Sequence, residues 1–540
     1  MTEPGLDPDA AAAAVVDPAH PARILGQVGG STALLTVAAF GGQIAGLLRE
    51  LYVAFRIGPS ASLDALLVAL VLPVLVSGLL TSGIRTALVP AHAEIAATRG
   101  SAAAQRFVGA IVIWTTIVAV LIGLGILILP GFGIGLAGPG LGPEAKASAI
   151  AYLPLLLPLV VLGTLSQLLG GVCQIAGRFG PIALSWLVGP VVSLVFAVAA
   201  WDQLGLAAVA IGMSLGSAVG VGLMVVAAAR IGVLPPVALS APRGEIAGFL
   251  RHAGPLAAGS AVLQFNLTAD RAIASLVSVG AVSVLKFGQQ LVTEPLGSLS
   301  SAWTTSLYPS LVRSSVAGAD RSLGALAALA VRHTFAIFVP ISFGVAALAP
   351  LLVDVVYRRG AFDSRAAAET ALVVVAFAPM LALEMIRPIL TGAHNARRNG
   401  MLLATTAVMN ASFNLILNLA FYRVFGVAGI ALSSSVTLGI TQLFIAWRLA
   451  RVEDDFQPGE VLRLAGRVLI ASAVPAVLVA TIVWNVIGES LDTPANLVAL
   501  VTLTVLGAIG YLAMARLLGI REPTDVIGRA VGSIRSWRRR

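Results

Sequence analysis

Four ionisable side chains, Arg49, Glu50, Arg56 and Asp64, interrupt the otherwise apolar stretch LLRELYVAFRIGPSASLDALLVALVLP at residues 47–73. A second stretch, RAIASLVSVGAVSVLKFGQQLVTEP at 271–295, repeats its frame. The first reads Arg49, eight residues, Gly58, fourteen residues, Pro73; the second reads Arg271, eight residues, Gly280, fourteen residues, Pro295. Within this register Arg49 and Arg271 are equivalent with like charge, whereas Asp64 and Lys286 are equivalent with opposite charge. Ionisable groups within a bilayer are rare and face a wet cavity or one another. A guanidinium group matches the geometry of a phosphate. Buried arginines from two related stretches therefore point to an anionic, phosphate-bearing cargo. Arg56 and Glu50 lie near enough to a segment end to snorkel into water.

Three further groups belong to this inventory. Arg85 falls late in the second apolar segment, and Glu384 and Arg387 sit three apart in the tenth. The last two either pair along their own helix or take part in transport. Asn410, Asn414 and Asn418 recur every four residues, as inter-helix glue or as carbonyl donors to a hard cation such as sodium.

The elements that carry these groups are membrane spans. Of 540 residues, 58% are hydrophobic and 11% charged, against roughly a quarter charged in soluble domains. Fourteen apolar segments of about 20 residues run from near 31–55 to near 494–516, each long enough to cross the hydrocarbon core. The fold expected is an all-α polytopic membrane protein of about 14 transmembrane helices. The repeated frame recurs six spans later, so its copies enter the membrane in the same direction. That predicts two parallel-repeat six-helix lobes plus two C-terminal helices. The boundaries are a disordered tail at 1–27, an N-lobe at 28–245, a C-lobe at 246–450, helices 13 and 14 at 451–520, and a basic tail at 521–540.

With the N-terminus inside, inner loops and the C-terminal tail hold about 23 Lys/Arg and outer loops about 6. Both termini are thus expected in the cytoplasm. The tail RAVGSIRSWRRR suits anionic headgroups. The net charge of +9 is explained by topology, so no nucleic-acid partner is inferred. One cysteine, Cys173, and five scattered histidines give no disulfide framework, catalytic zinc site or nucleophile–base constellation. No enzyme is expected. Gly212, Gly216 and Gly220 form a helix-packing stripe. The sequons at Asn266 and Asn410 fall inside spans and are not read as glycosylation sites.

The stretches GLLRELYVAFRIGPSASLDALLVALVLP with ALVPAHAE, DRAIASLVSVGAVSVL through EPLGSLSSAWTTSLYPSL, VVYRRGAFD, GAHNARRN and NLILNLAFYRVFGVAGIALSSSV together resemble the MurJ/MviN family of lipid II flippases. That family lies within the multidrug/oligosaccharidyl-lipid/polysaccharide exporter superfamily. The resemblance implies a carrier in the bacterial inner membrane that moves an undecaprenyl-diphosphate-linked peptidoglycan precursor from the cytoplasmic to the periplasmic leaflet. It implies two six-helix lobes around a cationic cavity and two extra helices that form a groove for the lipid tail. Arg49 matches a cavity arginine, and Asp64 matches an acidic residue near the outer gate. Asp270, Asn414, Asn418 and Ser434 resemble a sodium site, with Asn418 standing where a second carboxylate is found. Gln43, Ser82 and the Gln289–Gln290 pair replace family charges. The cationic lining is correspondingly thinner, and Arg85 and Lys286 supply relocated charge.

The expected mechanism is alternating access. Arg49, Arg85, Arg271, Lys286 and Gln290 receive the diphosphate and sugar head. Asp64, Ser283 and Lys286 form the outer gate, Asp64 and Lys286 as a charge pair. No cofactor is expected other than sodium at the Asp270 site, with the membrane potential as driving force. Partners are a lipid-linked glycan, membrane lipids and envelope-synthesis enzymes. The alternatives are a flippase for another polyprenyl-linked glycan, a drug/cation antiporter, and a non-transporting paralogue that scaffolds envelope synthesis.

Overall fold

The computed structural model describes residues 21–239, 243–293, 323–397, 399–487 and 493–523, and among them every regular element is helical. The first half of the chain runs through α1 (Pro21–Ile57), α2 (Ala61–Arg99), α3 (Ser101–Ile128), α4 (Pro143–Leu156), α5 (Pro158–Ile175), α6 (Gly180–Ala199) and α7 (Leu206–Arg230). The second begins with α8 (Arg243–Ser275) and α9 (281–293). It continues through α10 (Leu323–Ala347), α11 (Ala349–Val356), α12 (Ser364–Ala396) and α13 (Gly400–Ala450). Two further helices, α14 (Pro458–Ile482) and α15 (Thr493–Leu517), close the chain.

Among the described residues, eleven helices are long and apolar enough to cross a membrane. The Met401–Ala450 element is two such passes in one, because Gly426 adopts φ 58° and ψ −137° and turns the chain between them. The 33-residue α8 and the opening of α9 fall where two further spans are expected. One expected span is built from two helices: α4 carries Pro154, and α5 restarts at Pro158, since proline removes a backbone donor and crowds the preceding turn. The start of α1 departs from expectation. Its described part already covers residues 21–27, inside the stretch assigned to a tail. Residues 1–20, Pro295 and the basic tail from 524 lie outside the described residues.

The helices group into two compact units, which cut across the expected lobe boundaries. One contains the chain up to Arg49, Ile84–Val118 and Val161–Arg251; the other contains Glu50–Gly83, Ala119–Val160 and the chain from His252 onward. In the first unit, the glycine stripe of α7 meets α6 closely. A Cβ added at Gly212 would lie 2.9 Å from the Ser193 carbonyl, and one at Gly220 would lie 3.0 Å from Ser185 Oγ. Leu169, Cys173, Ile182, Val221, Met224 and Ala228 form an apolar core in the same unit.

In the second unit, the two repeated turns share a backbone conformation, with φ +63° at Gly58 and +85° at Gly280. Both are left-handed positions that favour glycine. The loop between α11 and α12 docks beside the first of them, where the Ala361 amide donates to the Phe55 carbonyl at 2.8 Å. Phe287, Tyr357 and Phe362 pack ring against ring there, with centroids 5.0–5.5 Å apart. Asp363 caps α12 by accepting from the Ala366 amide at 2.8 Å, and Asn399 caps α13 by accepting from Leu402 at 3.3 Å.

Candidate functional site

Arg49 sits about two helical turns before the end of α1, half-buried, and its Nη1 donates to Ser193 Oγ at 2.9 Å. Ser193 is buried in the α6–α7 seam that the glycines of α7 open. The glycine stripe therefore has a consequence beyond packing: it seats the hydroxyl that holds the guanidinium. Arg85, in the same unit, is exposed, with its stem alongside Gly171 of α5.

Asp64, in the first turn of α2, is buried at 2% exposure. Its carboxylate accepts from the Gly280 amide at 2.7 Å, the Ser283 amide at 2.8 Å and the Ser283 hydroxyl at 2.5 Å. These donors belong to the N-terminus of α9, where backbone N–H groups have no partner within the helix. Asp64 is thus an N-cap supplied by the other repeat, placed where the helix dipole favours negative charge. The expected charge pair is corrected here. The carboxylate is met by neutral donors and not by the Lys286 ammonium, because the helix terminus offers donors pointing directly at it. Lys286 lies half-buried further along α9. Gln290, a turn beyond, is buried at 5% exposure, and its Oε1 has no hydrogen-bond partner among the described residues.

Arg271, near the end of α8, is within electrostatic reach of Asp270 and Glu50. Glu50 is thereby linked to the repeat it was expected only to flank. Glu384 and Arg387 pair with each other at 2.7 Å along α12, which is the own-helix alternative.

Asp270, Asn414, Asn418 and Ser434 come together as one cluster. Asn418 Nδ2 donates to Asp270 Oδ1 at 2.6 Å and to Asn414 Oδ1 at 3.0 Å. Asn414 Nδ2 donates to Ser434 Oγ at 3.1 Å, and Ser434 Oγ reaches Asp270 Oδ2 at 3.5 Å. Ser433 adds a hydroxyl, which donates to Asn418 Oδ1; residue type alone did not distinguish it from its neighbours. A carboxylate, two carboxamides and hydroxyls form a hard oxygen set with a single negative charge, which suits a monovalent cation better than a divalent one. One turn along the same helices, Asn266 Nδ2 donates to Asn410 Oδ1 at 3.1 Å, so both sequon asparagines are engaged inside the helix bundle.

The last two helices and α10 enclose an apolar cavity of about 570 Å³, lined by Pro340, Leu348, Pro475, Val479, Leu503 and Tyr511 among others. Its lining is almost entirely apolar, and a carbonyl that a proline frees beside it is satisfied. Pro340 has no N–H to give to Ala336, and Tyr511 O–H donates to that carbonyl at 2.6 Å instead. On the flank, Arg332 of α10 holds Glu460 of α14 at 3.1 Å and Glu522, just past α15, at 2.8 Å.

The lipid II flippase MurJ family model matches residues 53–501. A probable lipid II flippase MurJ of Haemophilus influenzae is 25% identical over 89% of this chain and 98% of that protein. Its counterpart in Synechocystis is 26% identical over 79% and 82%. Among solved structures, a lipid II flippase MurJ in an inward closed conformation superposes with a TM-score of 0.74 at 18% identity, covering 92% of this chain and all of that one. An inward-facing multidrug resistance MATE family transporter of the MOP superfamily reaches 0.60 at 16% identity, covering 77% and 98%.

Proposed function

From the premise that the chain belongs to the lipid II flippase MurJ family, we propose that it carries lipid II from the cytoplasmic to the periplasmic leaflet by alternating access. The protein is a multi-pass membrane protein and a transporter. In this reading it resides in the bacterial inner membrane with both termini in the cytoplasm, as the arginine distribution favours.

The observation that carries the mechanism is the Asp64 cap on α9. It closes the two repeated turns on one another with three hydrogen bonds, each to a neutral donor. Such a closure is strong enough to define a state and cheap enough to reverse, since each bond is exchanged for one to water on opening. Arg49, Arg85, Arg271 and Lys286 receive the diphosphate, with Gln290 offering its unpartnered amide oxygen to a sugar hydroxyl. Arg49 is presented by Ser193, and the arginine fork suits two phosphate oxygens at once. The polyprenyl tail follows the apolar cavity beside α14 and α15, where Tyr511 keeps a carbonyl from facing the hydrocarbon.

A sodium ion would be held by Asp270, Asn414, Asn418 and Ser434 and would supply positive charge beside a lone carboxylate. An inside-negative potential contributes about 2.3 kcal/mol per charge per 100 mV, which favours outward movement of an anionic head and return of an empty cationic cavity. Envelope-synthesis enzymes are the protein partners this role calls for.

Complementation tests the reading. The protein should sustain growth of cells depleted of their lipid II flippase, and the R49A,K286A variant should fail to do so at equal membrane abundance. Correct insertion of the native chain without rescue would instead indicate a non-transporting role.

A further inference from the structure

Between α7 and α8 the chain runs as a non-helical apolar segment, VLPPVAL (233–239). We propose that this segment is a lipid-facing strap which sinks into the acyl boundary of the leaflet at the N-terminal end of α3. The whole arrangement lies within the first compact unit.

The strap is anchored at its start. Val233 and Leu234 pack on the Leu169–Met224 core, and the Val233 amide donates back to the Ala228 carbonyl at 3.0 Å. It then crosses α3 in contact with the helix backbone. The Pro236 carbonyl occupies the space that any side chain at Gly109 would need. Further on, Trp114 Nε1 donates to the Leu239 carbonyl at 3.0 Å. Beyond the strap, Phe249 of α8 packs edge-on against Phe107 of α3, and Glu245 pairs with Arg99 at 2.8 Å. The segment is thus fixed at both ends and in the middle.

What it presents outward is hydrocarbon. Val237 is 90% exposed, Leu239 65% and Trp114 49%. These residues continue the exposed apolar side of α3 at Val118. Depth follows from the last charge on the helix, Arg106. At about 1.5 Å per residue, Gly109 lies about 5 Å and Trp114 about 12 Å past Arg106 along the axis. That interval brackets the depth, about 5–10 Å, to which interfacial apolar groups are buried. Tryptophan is also the residue enriched at that level.

Non-helical backbone is costly there because its polar groups lose water. Two features reduce the cost. Pro235 and Pro236 carry no N–H, and the indole satisfies the Leu239 carbonyl. An aqueous linker would need neither.

The test is nitroxide labelling in proteoliposomes. Cys173 is fully buried, so a label on V237C reports that site, with a C173A version as control. V118C serves as the lipid-facing reference and R178C as the aqueous one. The strap predicts that V237C collides with oxygen as V118C does and is shielded from a water-soluble nickel chelate. Nickel collisions at the R178C level would overturn the proposal, as would suppression of both collision rates, which would mean that protein covers the site. W114F should move V237C toward the aqueous reference while leaving V118C unchanged; an unaltered V237C would remove the indole from the account.

Discussion

Asp64 and Ser283 are joined twice, since both the amide and the hydroxyl of Ser283 donate to the same carboxylate oxygen, at 2.8 and 2.5 Å. A carboxylate on α2 thereby terminates a helix that begins more than two hundred residues later. Loss of a charge-assisted bond of this kind costs about 1.5–3 kcal/mol, which shifts a two-state equilibrium by tenfold or more. Val282 beside it is buried at 1% exposure, so V282C should resist a membrane-impermeant thiol reagent. D64A should raise its labelling rate on the order of tenfold, and S283A by less, because two amide bonds remain. Equal rates in all three would mean that Asp64 does not hold the turns together.

The Asp270 cluster makes a second prediction, about ions. A ligand that binds only the folded state raises stability as its concentration passes its dissociation constant. In detergent, sodium should therefore raise the melting temperature above that in choline at the same ionic strength, and D270N should abolish the difference. N418D places a second carboxylate against the first and should enlarge the dependence on sodium. Identical melting of the native chain in the two salts would leave the cluster as a hydrogen-bonded seam.

Tyr511 and Pro340 make the third. Y511F leaves the Ala336 carbonyl buried without a donor, at a cost of about 1–3 kcal/mol. P340A restores an N–H to that carbonyl, so Y511F should cost much less in the P340A background. Thermal unfolding of the four proteins closes the cycle. Additive effects would show that the tyrosine and the proline act independently.

Sequence reasoning reached the all-helical membrane class because apolar length alone reports it, and the repeated turn because Gly58 and Gly280 share the same rare backbone conformation. It placed Asp270, Asn414, Asn418 and Ser434 in one group through the family resemblance, and their hydrogen bonds bring them together. It misjudged the partner of Asp64, since opposite charges suggest one another on paper whereas backbone amides have no letter. Ser193 escaped for a similar reason. A serine within VVSLVF is unremarkable until the α7 glycines open a seam around it. Tyr511 and Pro340 are far apart in the chain, and the hydrogen bond to the Ala336 carbonyl connects them.

The most direct test of the central claim is leaflet transfer in proteoliposomes. Fluorescent lipid II placed in one leaflet should cross with the native chain at a rate far above empty vesicles. The R49A,K286A variant should fall to the background rate although its outer-gate V282C protection is intact. Native-level transfer by that variant, or none by the native chain under an imposed potential, would contradict it.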